Sequence, residues 1–572
     1  LLWRRSQLAE AASLEDLTAG DRAFLAASRR NARVRVALAV ALAAAVPAAG
    51  AMTWWGTARQ EQVHRDRLVA EHLEQVRDVM AVATIKAEKA RAVQDDAVAR
   101  FRAATIAHWL PGWPRPLTAA MRNAQDANLA AREGRWAEAM SLYTEARADM
   151  SKATRNLETV LPIDARRDEV RRAMAEALYE HLLIADALRD DAAVGELAQR
   201  LGTYDDGKLG ARWLRPSNVE ISASATRIEV AQYHDETDGA RKLGPPIVTA
   251  DGGHLRTTLG PGSYRAVLVA PGIEPVLLPF VVRRGQDVKL DAALPGPGDV
   301  PRGFVYIPGG TFLQGADDNQ QPSLVWFRRN FLRAPPLHEE TTGPYLISRT
   351  EVTFEQWLRY LRSLPPGERD KRRQNASLEP QKALRLDVVR GRYRLGLHTI
   401  EETLHAEEGK PLFYKHRTRN KSIRWEDSPV GGVTFTDAEA FVSWLSMTGA
   451  VPGARICTPL EWEHAARGAD GRRFPHGERM LPTDANIDET HHRSYPGPDV
   501  VGSYPASASP FGVLDMSGNI FEWVANGSEL AIRGGSWWSG PTTAATMNTT
   551  FMQPTRNDAY IGIRVCADLP GH

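Results

Sequence analysis

Hydrophobic and polar positions change their period several times along this chain of 572 residues, and each change marks a different kind of element. Val36–Trp55 contains no charged residue. At about 1.5 Å of rise per residue, a helix of that length covers the roughly 30 Å hydrocarbon core of a bilayer. Trp54 and Trp55 fall at one interface, where aromatic rings are favoured, and the basic cluster Arg29, Arg30, Arg33 and Arg35 precedes the other. The competing reading is a buried, alanine-rich core helix interrupted at Pro47 and Gly50. From Thr57 to Leu214 apolar residues recur at helical spacing, with one break at Leu110–Pro116. Between Pro216 and Pro295 the period falls to two. Stretches such as VEISASATRIEVAQY, SYRAVLVAP and PVLLPFVVRRG are bounded by Gly, Pro or Asp and predict five to seven short strands.

The pattern therefore predicts a multidomain chain. Residues 1–35 are a cytoplasmic tail, 36–55 a transmembrane helix, 56–215 an all-α stalk or hairpin region, 216–298 a small all-β sandwich, and 301–572 a separate C-terminal domain. The basic flank sets the orientation: the positive-inside rule puts everything after Trp55 outside the cytoplasm, in a single-pass membrane protein. The first residue is Leu, and we read the chain as a fragment or processed product whose missing front part holds another activity, with a cytoplasmic signalling domain as the candidate.

Composition narrows the function. Lys plus Arg at 71 against Asp plus Glu at 70 leaves a formal charge of +1, so no global field recruits nucleic acid, and no nucleic-acid partner is expected. Two cysteines, Cys457 and Cys566, exclude a disulfide-rich scaffold and a cysteine-only zinc site. His64 and His72 share a helix face, but the residue four positions from each, Leu68, is no ligand, so they do not form a metal site. No nucleophile elbow, P-loop or dinucleotide fingerprint occurs.

Four motifs in the C-terminal part carry a family resemblance: GFVYIPGGTFLQG at Gly303–Gly315, RICTPLEWEHAARG at Arg455–Gly468, DMSGNIFEWVANGSELAIRGGSWWS at Asp515–Ser539, and IGIRVCADL at Ile561–Leu569. In this order they resemble the formylglycine-generating enzyme (sulfatase-modifying factor) family. The resemblance implies an α+β, C-type-lectin-like fold over 301–572, with 365–427 as an insertion carrying a hairpin near Gly391. It also implies a strand and a helix N-capped by Thr353 in Tyr345–Leu361, and a strand and a helix capped by Thr436 in Ser428–Ser446. Aerobic members of the family oxidise a substrate cysteine with O2 at Cu(I), held by two cysteines three and eight residues after the Ser of the Gly-Gly-Ser turn. Those positions are Ser539 and Ala544 here. Soft Cu(I) needs thiolates, so copper is not expected and no catalytic residue is assigned. A mononuclear iron domain, as precedes this fold in sulfur-inserting enzymes, needs a His-x3-His-x-Glu cluster, which is missing.

The resemblance implies binding sites as well. A family turn binds Ca2+ through oxygen; the matching groups are the Asp515 side chain, the Gly518 and Ile520 carbonyls, and Glu522. The alternative is that these groups bond the turn to itself. A second calcium loop would begin at Asn486–Ile487, but its later carboxylate falls near Arg493, and no ion is expected there. Cys566 matches a family disulfide cysteine whose partner position is Val442, so Cys566 reads as a small buried residue. The face that binds peptide in the resembled fold carries Trp538, Ser539, Asn548, Arg556 and Asn557, our candidate ligand-binding residues, with Trp537 assigned to the core.

Three further resemblances cover shorter stretches. LTAGDRAFLAASRR before an apolar span resembles the junction after the signalling module of bacterial multidomain proteins, AREGRWAEAMSLYTEA is similar to one tetratricopeptide repeat without a second copy, and LGPGSYRAVLVAPG resembles the extracytoplasmic β modules called PEGA domains. Together these readings predict a membrane-anchored, non-catalytic sensor that binds an extracytoplasmic peptide or small ligand. The alternative is an oxidoreductase of the same family with altered metal chemistry, acting on a protein substrate.

Overall fold

The computed structural model describes residues 5–10, 17–106, 119–164, 167–317, 322–373, 375–376, 384–401, 403–492, 494–527 and 529–569. They form two compact units, one of Leu1–Ala83 with Ala148–Glu180, the other of Thr84–Arg147 with His181–His572. The break expected at Leu110–Pro116 lies outside the described residues.

The helix Ala19–Ile106, of which the part up to Ala83 belongs to the first unit, runs without interruption through Pro47 and Gly50. Residues 36–55 are exposed along their whole length, with Val40 at 62% and Val46 at 72%, which removes the core-helix reading. By length and composition this helix is able to cross a membrane. Further along, Val69, Leu73 and Val76 are buried, as are Ala153, Leu157 and Val160 of the helix Ala119–Asp164, and Val170, Met174 and Ala177 of the helix Asp168–Ala187. Spacings of three and four put each set on one apolar stripe. Arg167 and Asp66 add an exposed ion pair at 2.7 Å, worth little by itself.

The second unit begins with helical residues whose buried stripes are Ala90, Val93, Ala97 and Phe101, and Trp136, Ala139, Tyr143 and Ala146. The repeat-like stretch is thus the apolar face of one long helix. Seven strands follow in two sheets. Ser217–Ala223 pairs antiparallel with His254–Leu259 and parallel with Val288–Ala292. The other sheet is antiparallel throughout, in the order Arg241–Asp251, Arg227–Asp235, Gly262–Val269, Val276–Val282. Its inward residues, including Ile228, Val230, Tyr264, Leu268 and Phe280, join one apolar core with Trp357, Trp425 and Trp523 of the C-terminal domain. A buried polar anchor reinforces the join: Asp470 accepts from Arg472 at 2.7 Å and from Ser263, and pairs with Arg241 at 3.1 Å.

Among the described residues, two of the three four-stranded sheets of the C-terminal domain frame it together with three capped helices. One sheet has the order Ala454–Ile456, Val565–Ala567, Tyr345–Ser348, Phe304–Ile307; the other Thr550–Phe551, Glu529–Arg533, Phe521–Asn526, Ile561–Gly562. Thr353 caps Phe354–Ser363 through a capping box with Gln356, and Thr458 caps Pro459–Arg467 through one with Glu461. Helix Phe435–Met447 starts two residues earlier than expected. Its cap is Thr434, not Thr436, because the Thr434 backbone is extended and its hydroxyl accepts from the Asp437 N–H at 3.1 Å. Residues 365–427 contain the hairpin Leu384–Val389 with Arg392–His398, closed at Arg390 and Gly391, both at positive φ.

The cysteine reading is corrected. Cys457 and Cys566 form a disulfide across a sequence separation of 109. The strand pairing puts Arg455 opposite Cys566, so Cys457, just past the strand end, reaches a sulfur that was read as unpaired because the family's partner position is Val442, on a helix.

Candidate functional site

The turn Asp515–Glu522 is built by left-handed backbone. Asp515 (φ 55°), Gly518 (φ 82°) and Asn519 (φ 59°) all lie there. At Gly518 a Cβ would come within 2.6 Å of the Asn486 carbonyl, so only glycine fits. Gly535 has a similar reason: its Cβ would meet the Ala544 Cα at 2.7 Å, and the glycine pair serves an approach of the chain's own backbone. Gly518 N–H donates to the Gly534 carbonyl at 2.7 Å and Trp537 N–H to that of Asn519 at 3.0 Å, locking turn to strand.

Beneath the turn lies a polar network, and it decides what the turn's carboxylates do. Glu522 is fully buried and accepts from Arg564 through both oxygens, Nη2 to Oε1 at 2.7 Å and Nε to Oε2 at 2.8 Å, with the Trp462 indole N–H as a third donor. Arg564 also donates to the carbonyls of Ser348 (2.8 Å) and Leu514 (2.9 Å). Asp515 accepts from the Gly502 N–H. These donors do not fit a calcium ion, because both Glu522 oxygens already face a cation supplied by the chain. In the second loop Arg417, from the inserted segment, donates to Asp499 Oδ1 at 2.8 Å, the Gly497 carbonyl at 2.6 Å and the Tyr495 carbonyl at 3.3 Å. Its guanidinium lies 3.5 Å from the centre of the Tyr414 ring. Arg493 lies outside the described residues. Millimolar calcium, or a chelator, is accordingly expected to leave the melting temperature unchanged. A rise with calcium would restore the calcium reading, since a ligand of the native state raises its stability.

Glu351, 1% exposed, extends this network, accepting from Asn519 Nδ2 at 3.1 Å. Burial, and after it the neighbouring Asp515 charge, push its carboxyl well above the ordinary value of 4.5. A raised carboxyl contributes its full stabilisation below 4.5, and loses it as pH climbs toward the native value. Glu351→Gln, neutral at every pH, is therefore expected to gain stability relative to the parent as pH rises from 4.5, read from melts across pH. Parallel pH profiles would show that Glu351 titrates alike in the native and unfolded states.

The candidate ligand-binding residues divide. Trp538 is half-buried; its ring meets that of Trp537 edge-on at 5.9 Å, and Trp537 meets Tyr560 at 6.2 Å. Trp537 itself is 1% exposed. Arg556 remains 40% exposed and is steadied by Asp558 at 2.8 Å, which also accepts from the Tyr560 hydroxyl at 2.8 Å. Burial, then the Asp558 hydrogen bond, raises the Tyr560 hydroxyl to about 12, so it is a neutral donor at physiological pH. Asn557 is half-exposed beside this pair. The structure thus links Trp538, through Trp537, to Tyr560, Asp558 and Arg556 in one ridge. Ser539 is half-buried, its hydroxyl 3.0 Å from that of Ser536. Asn548 is a correction: 1% exposed, it donates its amide to the Thr543 carbonyl at 3.0 Å and braces its own loop.

Tyr560, Asp558, Arg417 and Asp499 escaped the sequence reading. Asp558, two residues after Arg556 in a polar loop, offered a local signal for its pairing. Arg417 and Asp499, 82 residues apart, offered none.

Residues 293–569 match the sulfatase-modifying factor enzyme 1-like domain. Hercynine oxygenase of Mycolicibacterium smegmatis is 26% identical over 339 residues, 52% of this chain and 69% of that protein. Serine/threonine-protein kinase pkn1 of Chlamydia caviae is 29% identical over 254 residues, 44% of this chain and 31% of the kinase, so the chain spans less than a third of that relative. The formylglycine-generating enzyme of Thermomonospora curvata is 25% identical over 272 residues, 45% and 79% of the two chains.

Proposed function

We propose, for a chain whose residues 293–569 match a sulfatase-modifying factor enzyme 1-like domain, that it is a membrane-anchored, non-catalytic recognition protein binding an extracytoplasmic peptide or small ligand. The observation that carries this reading is the fate of sulfur. The chain has two cysteines, and they are bonded to each other and fully buried. No thiolate is left for Cu(I), which hydroxyl and methyl groups cannot hold. Ser539 is paired with Ser536, and Ala544 is buried against Gly535.

Other observations support the setting. A disulfide persists in oxidising compartments, in keeping with a C-terminal domain outside the cytoplasm. The exposed, uncharged stretch 36–55 supports an anchor, because so long an apolar surface is unfavourable in water. A similar stretch within a protein named as a kinase supports a signalling role. Recognition falls to the ridge of Trp538, Tyr560, Arg556 and Asn557, where aromatic faces and an exposed guanidinium are good binding chemistry.

The full chain in detergent micelles, titrated with Cu(I) and incubated under O2 with a cysteine-containing sulfatase-type peptide, tests the proposal. Neither tight stoichiometric copper nor aldehyde is expected. Aldehyde formation would overturn the non-catalytic reading and favour the oxidoreductase with altered metal chemistry.

A further inference from the structure

The inserted segment concentrates a charge that the near-neutral total of the chain conceals. Gly409–Arg424 holds six Lys and Arg and no Asp or Glu. Its two short strands, Leu412–Phe413 and Ser422–Ile423, pair antiparallel, and the Tyr414 N–H to Lys421 carbonyl bond at 2.7 Å closes the loop between them. Two loop residues turn inward. Arg417 reaches Asp499, and Tyr414, fully buried, donates its hydroxyl to the Pro498 carbonyl at 3.1 Å. With the loop held from below, Lys415, Arg419 and Lys421 stand exposed at its tip. Among the described residues no carboxylate lies within ion-pair distance of these three, whereas Arg424, at the base, is tied to Glu355 at 3.2 Å and Asp427 at 2.6 Å. Beside the cations Phe413 is 57% exposed, opposite Ser422, while Leu412 and Ile423 of the same strands join the core.

We infer that this hairpin tip docks on the surface of an anionic lipid bilayer. The three exposed cations meet the lipid phosphates, and Phe413 enters the boundary between headgroups and acyl chains. Phe413 decides between a bilayer and a soluble polyanion. A polyanion gives an exposed phenyl ring nothing to enter, whereas a bilayer removes it from water. Because Arg417 and Tyr414 already fix the loop, little further ordering is needed when the tip meets the surface. The formal charge of +1 over the whole chain does not oppose this, since charges act on a surface within about 10 Å at ordinary ionic strength. The assignment rests on neither the Trp538 ridge nor the span at 36–55.

Sedimentation of the full chain, held in phosphatidylcholine nanodiscs, with added sucrose-loaded vesicles tests the tip apart from the chain's own anchor. Capture by vesicles of equal parts phosphatidylglycerol and phosphatidylcholine is expected, falling as salt rises, with none by phosphatidylcholine alone. Each cation removed is expected to weaken capture about fivefold, so Lys415→Gln, Arg419→Gln and Lys421→Gln together cost on the order of a hundredfold. Phe413→Ser is expected to cost about tenfold. Absence of capture by the anionic vesicles would overturn the inference, as would equal capture by the neutral ones or parent-like capture of the triple variant. Arg419 also donates to the Pro482 carbonyl at 3.3 Å. Should the triple variant fail to fold, Lys415→Gln with Lys421→Gln decides by the same criterion. Parent-like capture of Phe413→Ser also overturns the bilayer and leaves a soluble polyanion as the partner.

Discussion

Replacing Arg564 with methionine is expected to cost the C-terminal domain about 3–5 kcal/mol of stability, the usual penalty for stranding a buried charge. Arg564 and Glu522 are both fully buried and doubly hydrogen-bonded to each other. The same guanidinium ties in the carbonyls of Ser348 and Leu514, and Glu522 holds the indole of Trp462 on the helix Pro459–Arg467. Removing the cation leaves Glu522 beside Asp515 and Glu351 with nothing to offset three acidic groups. Denaturant unfolding of the full chain measures the loss. Arg564→Met combined with Glu522→Gln is expected to recover part of it, because the stranded charge is then gone. A single variant within about 1 kcal/mol of the parent would show that the pair is solvated in the native state.

Replacing both cysteines with alanine is expected to have a comparable effect by a different route. Closing a loop across 109 residues restricts the unfolded chain by about 4–5 kcal/mol in the chain-entropy account. Both sulfurs are fully buried, so reductant is expected to act on the native protein only through unfolding. Two measurements check this: the midpoint of the Cys457→Ala, Cys566→Ala variant, and a thiol count on the unreduced, denatured chain. Two titratable thiols would overturn the bond and reopen the sulfur argument against copper.

The two predictions concern contacts of different legibility. Arg564 and Glu522 stand in motifs that the sequence displays, IGIRV and NIFEW, yet nothing local says that they meet. The four oxygens Asp515, Gly518, Ile520 and Glu522 read equally as a calcium turn or a self-bonded one. The choice turned on which cation reaches Glu522, and that cation comes from residue 564.

Sequence alone determined whatever depends on short-range pattern. The uncharged run Val36–Trp55 specifies an apolar helix, the period of two from Pro216 to Pro295 specifies strands, and Thr353 specifies a helix start through Gln356, three residues away. Ser539 and Ala544 rule out thiolate copper ligands by residue type alone. Tertiary structure decided whatever depends on which distant segments share a register or a core. Strand pairing brought Cys457 to Cys566, insertion packing brought Arg417 to Asp499, and loop closure turned Asn548 inward. Periodicity reports how a segment meets water. It carries no record of which partner, a hundred residues away, replaces that water when the chain folds.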